Sequence, residues 1–323
     1  MADPTNPGLD GIFNIDKPRG MTSHDVVAKV RRTIRMRNAE LGMSNQSLRT
    51  PHSAFRIRVG HAGTLDPMAT GVLPIVLGKA TRLVEYLADA DKAYRATLVL
   101  GAMSDTYDAE GTITSNPEAP ILMQEQIERV AEAFKGEIEQ LPPMHSAIKM
   151  GGKKLYELAR QGIEVERKPR RVTITRLDIL GYRPPLLHIF VECSKGTYIR
   201  SLAHDLGAAL GTGAYLDDLT RTRHGPFTVE GAASLDDLEA AFKDGTWQEV
   251  LYPPEHILAG WQTHTATPEE ELAITQGKPL TLPPPQAGER PMMVANRASG
   301  QLLAVLYWDE EQRIWKPKKV FTT

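Results

Sequence analysis

Apolar and polar positions along this chain repeat with two periods, and the switches between them mark the elements. Residues 11–16 (GIFNID) predict a short strand. The Lys17-Pro18-Arg19-Gly20 turn closes it, since proline fixes φ and glycine admits positive φ. Thr22 or Ser23 then caps a helix with Val26, Val27 and Val30 on one stripe. Residues 37–56 are polar and aperiodic, and predict an inserted surface loop. Residues 72–77 are continuously apolar, 78–89 read as helical, and 94–100 (YRATLVL) alternate as a strand does. Residues 104–111 are acidic and turn-rich. Ile127, Val130 and Phe134 give 120–134 an amphipathic helical face. A helix over 153–160 stops at Gly162, strands 172–182 and 187–193 meet at Pro184-Pro185, and Gly211 closes a helix over 197–210.

The last quarter of the chain changes character. Residues 250–262, with Tyr252-Pro253-Pro254, read as a linker. Beyond it, 281–285, 292–295, 302–308 and 320–321 read as short strands between turns, the pattern of a small barrel or sandwich. The divisions expected are a loose N-terminus over 1–10, a large domain over 11–250 and a small β-rich domain over 251–323.

Composition adds bounds. Hydrophobic residues make up 41% of the 323 positions, enough for a substantial core. The single cysteine, Cys193, permits no intramolecular disulfide and suits a reducing, cytoplasmic setting. There is no signal-peptide pattern, and no apolar run approaches the roughly 20 residues that span a bilayer. The net charge of −2 argues against a nucleic-acid partner when taken as a sum. Its distribution argues the other way. Basic residues cluster at Arg31, Arg32, Arg35 and Arg37, at Lys149, Lys153, Lys154 and Arg160, at 167–171, and at 221–224, several beside glycine-rich loops.

Familiar cofactor motifs are missing. A phosphate loop at Gly78-Lys79 would need glycine where Leu73 stands and Ser or Thr where Ala80 stands. No Gly-x-Gly-x-x-Gly follows a strand, and the nine histidines form no His-Glu-x-x-His. Neither a metal nor an organic cofactor is expected.

What remains is 60–71, GHAGTLDPMATG, with one carboxylate, Asp66, between Leu65 and Pro67. Asp before Pro is a common helix start, but the surrounding glycines also let a ligand approach the backbone closely. His61 shares the loop. Arg200 falls in the first turn of the 197–210 helix with Thr197 as its cap, where the helix dipole disfavours a cation. A buried carboxylate would account for it, and Asp66 is the candidate partner, kept ionised by the guanidinium. Tyr94 opens an alternating strand and offers a face on which an unpaired base could stack.

Those segments, taken together, resemble the TruB family of pseudouridine synthases. GHAGTLDPMATGVLP resembles its catalytic motif, and 14–23 (NIDKPRGMTS) its N-terminal Lys-Pro-x-Gly motif. Residues 91–95 (DKAYR) resemble its tyrosine strand, and 142–149 with 152–162 its central signature. Residues 193–200 (CSKGTYIR) resemble its arginine motif and 216–223 its leucine-arginine segment. The match runs from about Gly11 to about Gly225 in the family's order. More weakly, 302–305 and 316–321 resemble the PUA-like RNA-binding domain that follows. The 37–56 loop is the main departure.

The resemblance implies an α+β fold: a mixed, largely antiparallel sheet flanked by helices, plus a small PUA-like β-barrel. It implies an isomerase, an intramolecular transferase that converts uridine 55 in the T loop of tRNA to pseudouridine. Asp66 would be catalytic, acting on a base flipped out of its stack. His61 would fill the vacated space, Tyr94 would stack on the base, Arg200 would pair with Asp66, and Leu219 and Tyr198 would line the pocket. Lys17 and Pro18 would be mainly structural. Lys149, Lys153, Lys154 and Arg160 would meet RNA phosphates. The partner would be tRNA, at its T loop and acceptor stem, with no obligate protein partner and a monomer as the default. Two other readings compete: a non-catalytic module that binds and folds tRNA, and an RNA-guided synthase subunit needing protein partners.

Overall fold

The structure, a computed structural model, describes residues 9–40, 57–144, 149–150, 153–154, 163, 165–286 and 288–321. Its centre is a ten-stranded sheet. Across it run Leu251–Tyr252, Gly11–Lys17, Thr70–Leu77, Ala214–His224, Lys92–Leu100, Leu186–Cys193, Arg170–Arg183 and Gly136–Gln140. Val59–His61 pairs with Thr70–Leu77, and Phe227–Thr228 with Ala214–His224. These ladders are antiparallel except one: Thr70–Leu77 runs parallel to Ala214–His224, with Thr220 opposite Thr70 and Arg221 opposite Gly71. The expected α+β fold with a mixed, largely antiparallel sheet is therefore present.

Period-two alternation sorts the central strands onto two cores. Phe13, Ile15, Leu73, Ile75 and Leu77 face one way, onto the Ser23–Glu40 and Leu235–Asp244 helices. Ile12, Val72 and Val76 face the other way, onto Leu83, Leu87, Ile257 and Leu258. Val26, Val27, Val30 and Ile34 are the buried stripe of the first helix. Thr22 caps that helix: its Oγ1 accepts from Asp25 N at 3.1 Å, while Asp25 Oδ2 accepts from Thr22 N at 2.8 Å.

The C-terminal region is a four-stranded sheet of Thr263–Thr265, Met292–Asn296, Leu302–Asp309 and Ile314–Val320. Its inner face, with Leu303, Leu306 and Trp315, packs with Ile274 and Leu280. Val294 and Val305 of this sheet, with Phe321 just past its last strand, join the second core of the central sheet. Arg82 Nη1 donates to Val320 O at 2.8 Å, and Lys319 pairs with Glu85 at 3.0 Å.

Several sequence expectations are corrected. The first helix runs on to Glu40, because helical hydrogen bonds do not need apolar periodicity, so the aperiodic stretch is not a loop from 37; residues 41–56 lie outside the described residues. The expected 250–262 linker is structured. Ile12 and Phe13 pair with Tyr252 and Leu251, and Ile257 and Leu258 are buried in a short 3-10 turn. The helix expected from residue 153 begins as a strand, Lys153–Lys154 pairing with Lys149–Met150; residues 155–162 lie outside the described residues. The 281–285 strand is irregular, since prolines lack the N–H a ladder needs, and only Leu280 bridges to Trp315. The Leu235–Asp244 and Pro268–Thr275 helices were not read from the sequence, although Ser234 and Thr267 cap them in capping boxes.

Candidate active site

Asp66 stands in the connection from Val59–His61 to Thr70–Leu77, with its main chain clamped on both sides. On the N-terminal side, buried Ser23 accepts from Leu65 N at 2.9 Å and donates to Leu65 O at 3.2 Å. On the C-terminal side, Pro67 O accepts from Gly20 N at 2.8 Å and from Lys17 Nζ at 3.2 Å. Lys17 is fully buried and also donates to Pro18 O and Met21 O. Burial lowers its pKa to about 8, with Asp66 opposing the fall. The Lys-Pro-Arg-Gly turn and the Asp66 loop thus form one unit, consistent with a structural role for Lys17.

The guanidinium predicted to face Asp66 does so. Arg200 Nε lies 3.1 Å from Asp66 Oδ2, and Arg200 Nη1 lies 3.1 Å from Asp108 Oδ2. The arginine is buried in the first turn of Ile199–Ala209. Its approach is fixed from behind: Gln140, itself buried, accepts from Tyr198 N at 2.8 Å and donates to Tyr198 O at 3.1 Å. The helix cap is Tyr198, not Thr197, whose hydroxyl instead donates to Ser194 O at 3.0 Å.

Arg200 does not hold the Asp66 pKa low. Dense surrounding protein pushes it up from the usual carboxylate value, and the nearby Asp108 charge adds to the rise; Arg200 and Lys17 oppose it. Even so, 36% of the Asp66 side-chain surface stays open, so a ligand can reach it. A carboxylate raised but still accessible is suited to proton transfer or nucleophilic attack.

Across the ladder, Tyr94 on Lys92–Leu100 sits directly opposite Arg221 on Ala214–His224. Burial pushes the Tyr94 phenol up to about 12, and it is hydrogen bonded to Arg221. Arg221 is fully buried, donating Nε to Val72 O at 2.7 Å and Nη2 to Gly63 O at 3.1 Å. It ties the Asp66 loop to the tyrosine strand. Gly71 makes room: its φ is +94°, and a Cβ there would lie 2.2 Å from Arg221 O. Leu219 is buried on the same strand, opposite Ala96. His61 is half-buried with its ring edge-on to His24 at 5.5 Å, and burial lowers its pKa, His24 and Arg221 adding to the fall.

The structure thus brings Arg200 onto Asp66, and through Arg221 ties the Asp66 loop to the strands that carry Tyr94 and Leu219; Tyr198 precedes the Arg200 helix as its cap, and His61 lies opposite Ile75 at the start of the loop. The side chains of Lys149, Lys153 and Lys154 are not described, and Arg160 lies outside the described residues. Sequence reasoning missed Asp108, Arg221, Ser23 and Gln140. Asp108 lay in a segment read only as an acidic turn. Its partners, Thr106 Oγ1 at 2.6 Å and Glu110 N at 3.1 Å, show an Asx-type turn, the one signal that was available.

A clamped, partly open carboxylate flanked by buried cations is the equipment of an enzyme, and comparisons with known proteins give the class. Two solved structures share the fold. One is titled as an H/ACA RNP bound to a substrate RNA containing 2′-deoxyuridine, at a TM-score of 0.69 and 26% identity, covering 97% of this chain and 85% of that one. The other is a Cbf5-Nop10-Gar1 complex, also at 0.69 and 26%, covering 100% and 92%. Residues 52–199 match the TruB family pseudouridylate synthase N-terminal domain, and residues 200–259 the tRNA pseudouridylate synthase B C-terminal domain. The tRNA pseudouridine synthase B of Dehalococcoides mccartyi (strain ATCC BAA-2100 / JCM 16839 / KCTC 5957 / BAV1) is 42% identical over 313 residues, 97% of each chain. That of Symbiobacterium thermophilum is 45% identical over 272 residues, 83% of this chain and 82% of that one. The chain belongs to the TruB family of pseudouridine synthases. No helix among the described residues is long and apolar enough to cross a membrane.

Proposed function

We propose that this enzyme isomerises uridine 55 in the T loop of tRNA to pseudouridine, with Asp66 as its catalytic residue. The observation that carries the assignment is the clamped Asp66 carboxylate, open to a ligand on one side and held by Arg200 on the other.

The reaction breaks the bond from C1′ to N1, turns the base and joins C1′ to C5. The C5 proton is lost to solvent and N1 gains one, so no oxidant, reductant or water is consumed. Asp66 serves attack at C1′, attack at C6 or removal of the C2′ proton equally well, and all three need its ionised form. Arg200 steadies that charge. The uridine leaves its stack to reach the site, at a cost of a few kcal/mol. Tyr94 stacks on the displaced base, Leu219 and Tyr198 wall the pocket, and His61, neutral at physiological pH, occupies the space left in the RNA loop.

RNA phosphates are met by Lys149, Lys153, Lys154 and Arg160. The sheet beginning at Thr263 acts as a PUA-like domain on the acceptor stem, within the 251–323 region. The enzyme works in the cytoplasm as a monomer without an obligate protein partner.

The test is to incubate the protein, and its Asp66→Asn variant, with an unmodified tRNA transcript and map pseudouridine by carbodiimide labelling and primer extension. A stop at uridine 55 with the wild type alone is expected. Tight tRNA binding without product would favour the non-catalytic folding module. Product only after adding guide RNA and proteins of the Nop10 and Gar1 kind would favour the RNA-guided subunit.

A further inference from the structure

Asp108 reaches Arg200 from a turn with little regular structure of its own, so the position of that turn decides where the guanidinium points. We propose that the stacked rings of Tyr107 and His204 are positioning residues for the Asp66 site. They dock the 104–111 turn onto the Ile199–Ala209 helix and so set Asp108, and through it Arg200. The proposal rests on the reading of Asp66 as the catalytic residue.

The two rings lie face to face, centroids 4.0 Å apart and planes inclined by 18°. Tyr107 is held at φ +67°, in the left-handed region that L-residues rarely adopt. Such a conformation persists only where its surroundings over-determine it. Here they do. Tyr107 N donates to Ser104 O at 3.1 Å, and Tyr107 O accepts from Leu216 N at 2.9 Å. The next residue is Asp108.

His204 follows Arg200 by one helical turn, at the i,i+4 spacing that puts two side chains on one face. The turn therefore meets the helix at two consecutive points, ring on ring at Tyr107 and carboxylate on guanidinium at Asp108. His204 Nδ1 is buried without a hydrogen-bond partner among the described residues. Its stacked face, rather than that nitrogen, is thus what holds the imidazole against the turn. With the ring removed, the turn keeps its backbone bonds to Ser104 and Leu216 but loses its seat against the helix, so the turn can shift relative to Arg200. That shift loosens the pair between Asp108 and Arg200 and with it the aim of the guanidinium at Asp66.

The experiment uses the full chain and an unmodified tRNA transcript, measuring single-turnover pseudouridine formation, tRNA affinity by filter binding and thermal melting. His204→Ala should slow the reaction by roughly tenfold while tRNA affinity stays within about twofold. His204→Phe restores a flat ring without Nδ1 and should recover most of the rate. Tyr107→Gly tolerates the positive φ, keeps the fold and should be as slow as His204→Ala; the double variant should be no slower than either. A wild-type rate in His204→Ala, a His204→Phe variant as slow as His204→Ala, or a rate loss matched by lost affinity would each overturn the positioning role. The Asp66→Asn control separates the two readings: if it is active, the site assignment fails, and if it is inert, the His204 and Tyr107 variants judge the stack alone.

Discussion

Asp66 and Asp108 share one guanidinium: Arg200 Nε meets Asp66 Oδ2 and Arg200 Nη1 meets Asp108 Oδ2, each at 3.1 Å. The two carboxylates are unequal. Asp108 is sealed, with 3% of its side chain exposed, while Asp66 keeps 36%. One can meet substrate and the other sets the charge around it.

Because burial, with Asp108, raises the Asp66 pKa, the rate should rise with pH through a value above the usual 3.8 for aspartate. Asp108→Asn removes the charge that adds to this rise. The acid limb of the single-turnover profile should therefore move to lower pH, while the plateau falls by about 10- to 100-fold as Arg200 loses its second anchor. An acid limb that stays in place or moves up would show that Asp108 does not act on Asp66 through its charge.

Asp66→Asn should abolish activity, by roughly a thousandfold or more, without weakening the fold. A carboxylate whose folded pKa is raised stabilises only while protonated, and that contribution is lost as pH rises through the folded value. At pH 7 ionised Asp66 is therefore a cost, and the amide removes it while Arg200 keeps Asp108. Thermal melting at pH 7 should give an unchanged or higher midpoint; a clear drop would contradict the assigned sign.

Lys17→Met strips three carbonyls of a donor, those of Pro18, Met21 and Pro67. The loss of buried hydrogen bonds should destabilise the protein by about 2 kcal/mol at pH 7, after relief from burying a charge. The lysine pKa falls from 10.5 to about 8 on folding, so between those values the unfolded chain holds more protons. Wild-type stability gains from this group as pH rises through that window. Denaturant titrations at pH 7 and pH 10 should show the gap to Lys17→Met widening.

Gly71→Ala places a Cβ 2.2 Å from Arg221 O at a φ of +94°. The backbone cannot yield without moving the parallel ladder at Arg221. A loss of about 2–4 kcal/mol in urea is expected, together with slower catalysis, since Arg221 also holds Tyr94. Full stability with full activity would mean that the strands slide apart freely here.

Much of this was written locally. The strands read at 11–16, 94–100 and 187–193 stand within a residue or two of their observed bounds, the second from its alternation, and the first helix follows from its valine stripe, because period is a property of neighbouring residues. Asp66 stood out because its loop offers a single carboxylate among glycines, and Arg200 because a cation in a helix's first turn needs an anion. Both candidates are therefore legible from local sequence alone. The pairing of Asp108 with Arg200, the placing of Arg221 opposite Tyr94 and the packing of 251–258 into the core rather than a linker emerge from the folded arrangement. The reason is physical. Each of these pairings is made by sheet register and helix packing between segments far apart in the chain, and no local propensity records which distant group will neutralise a buried charge.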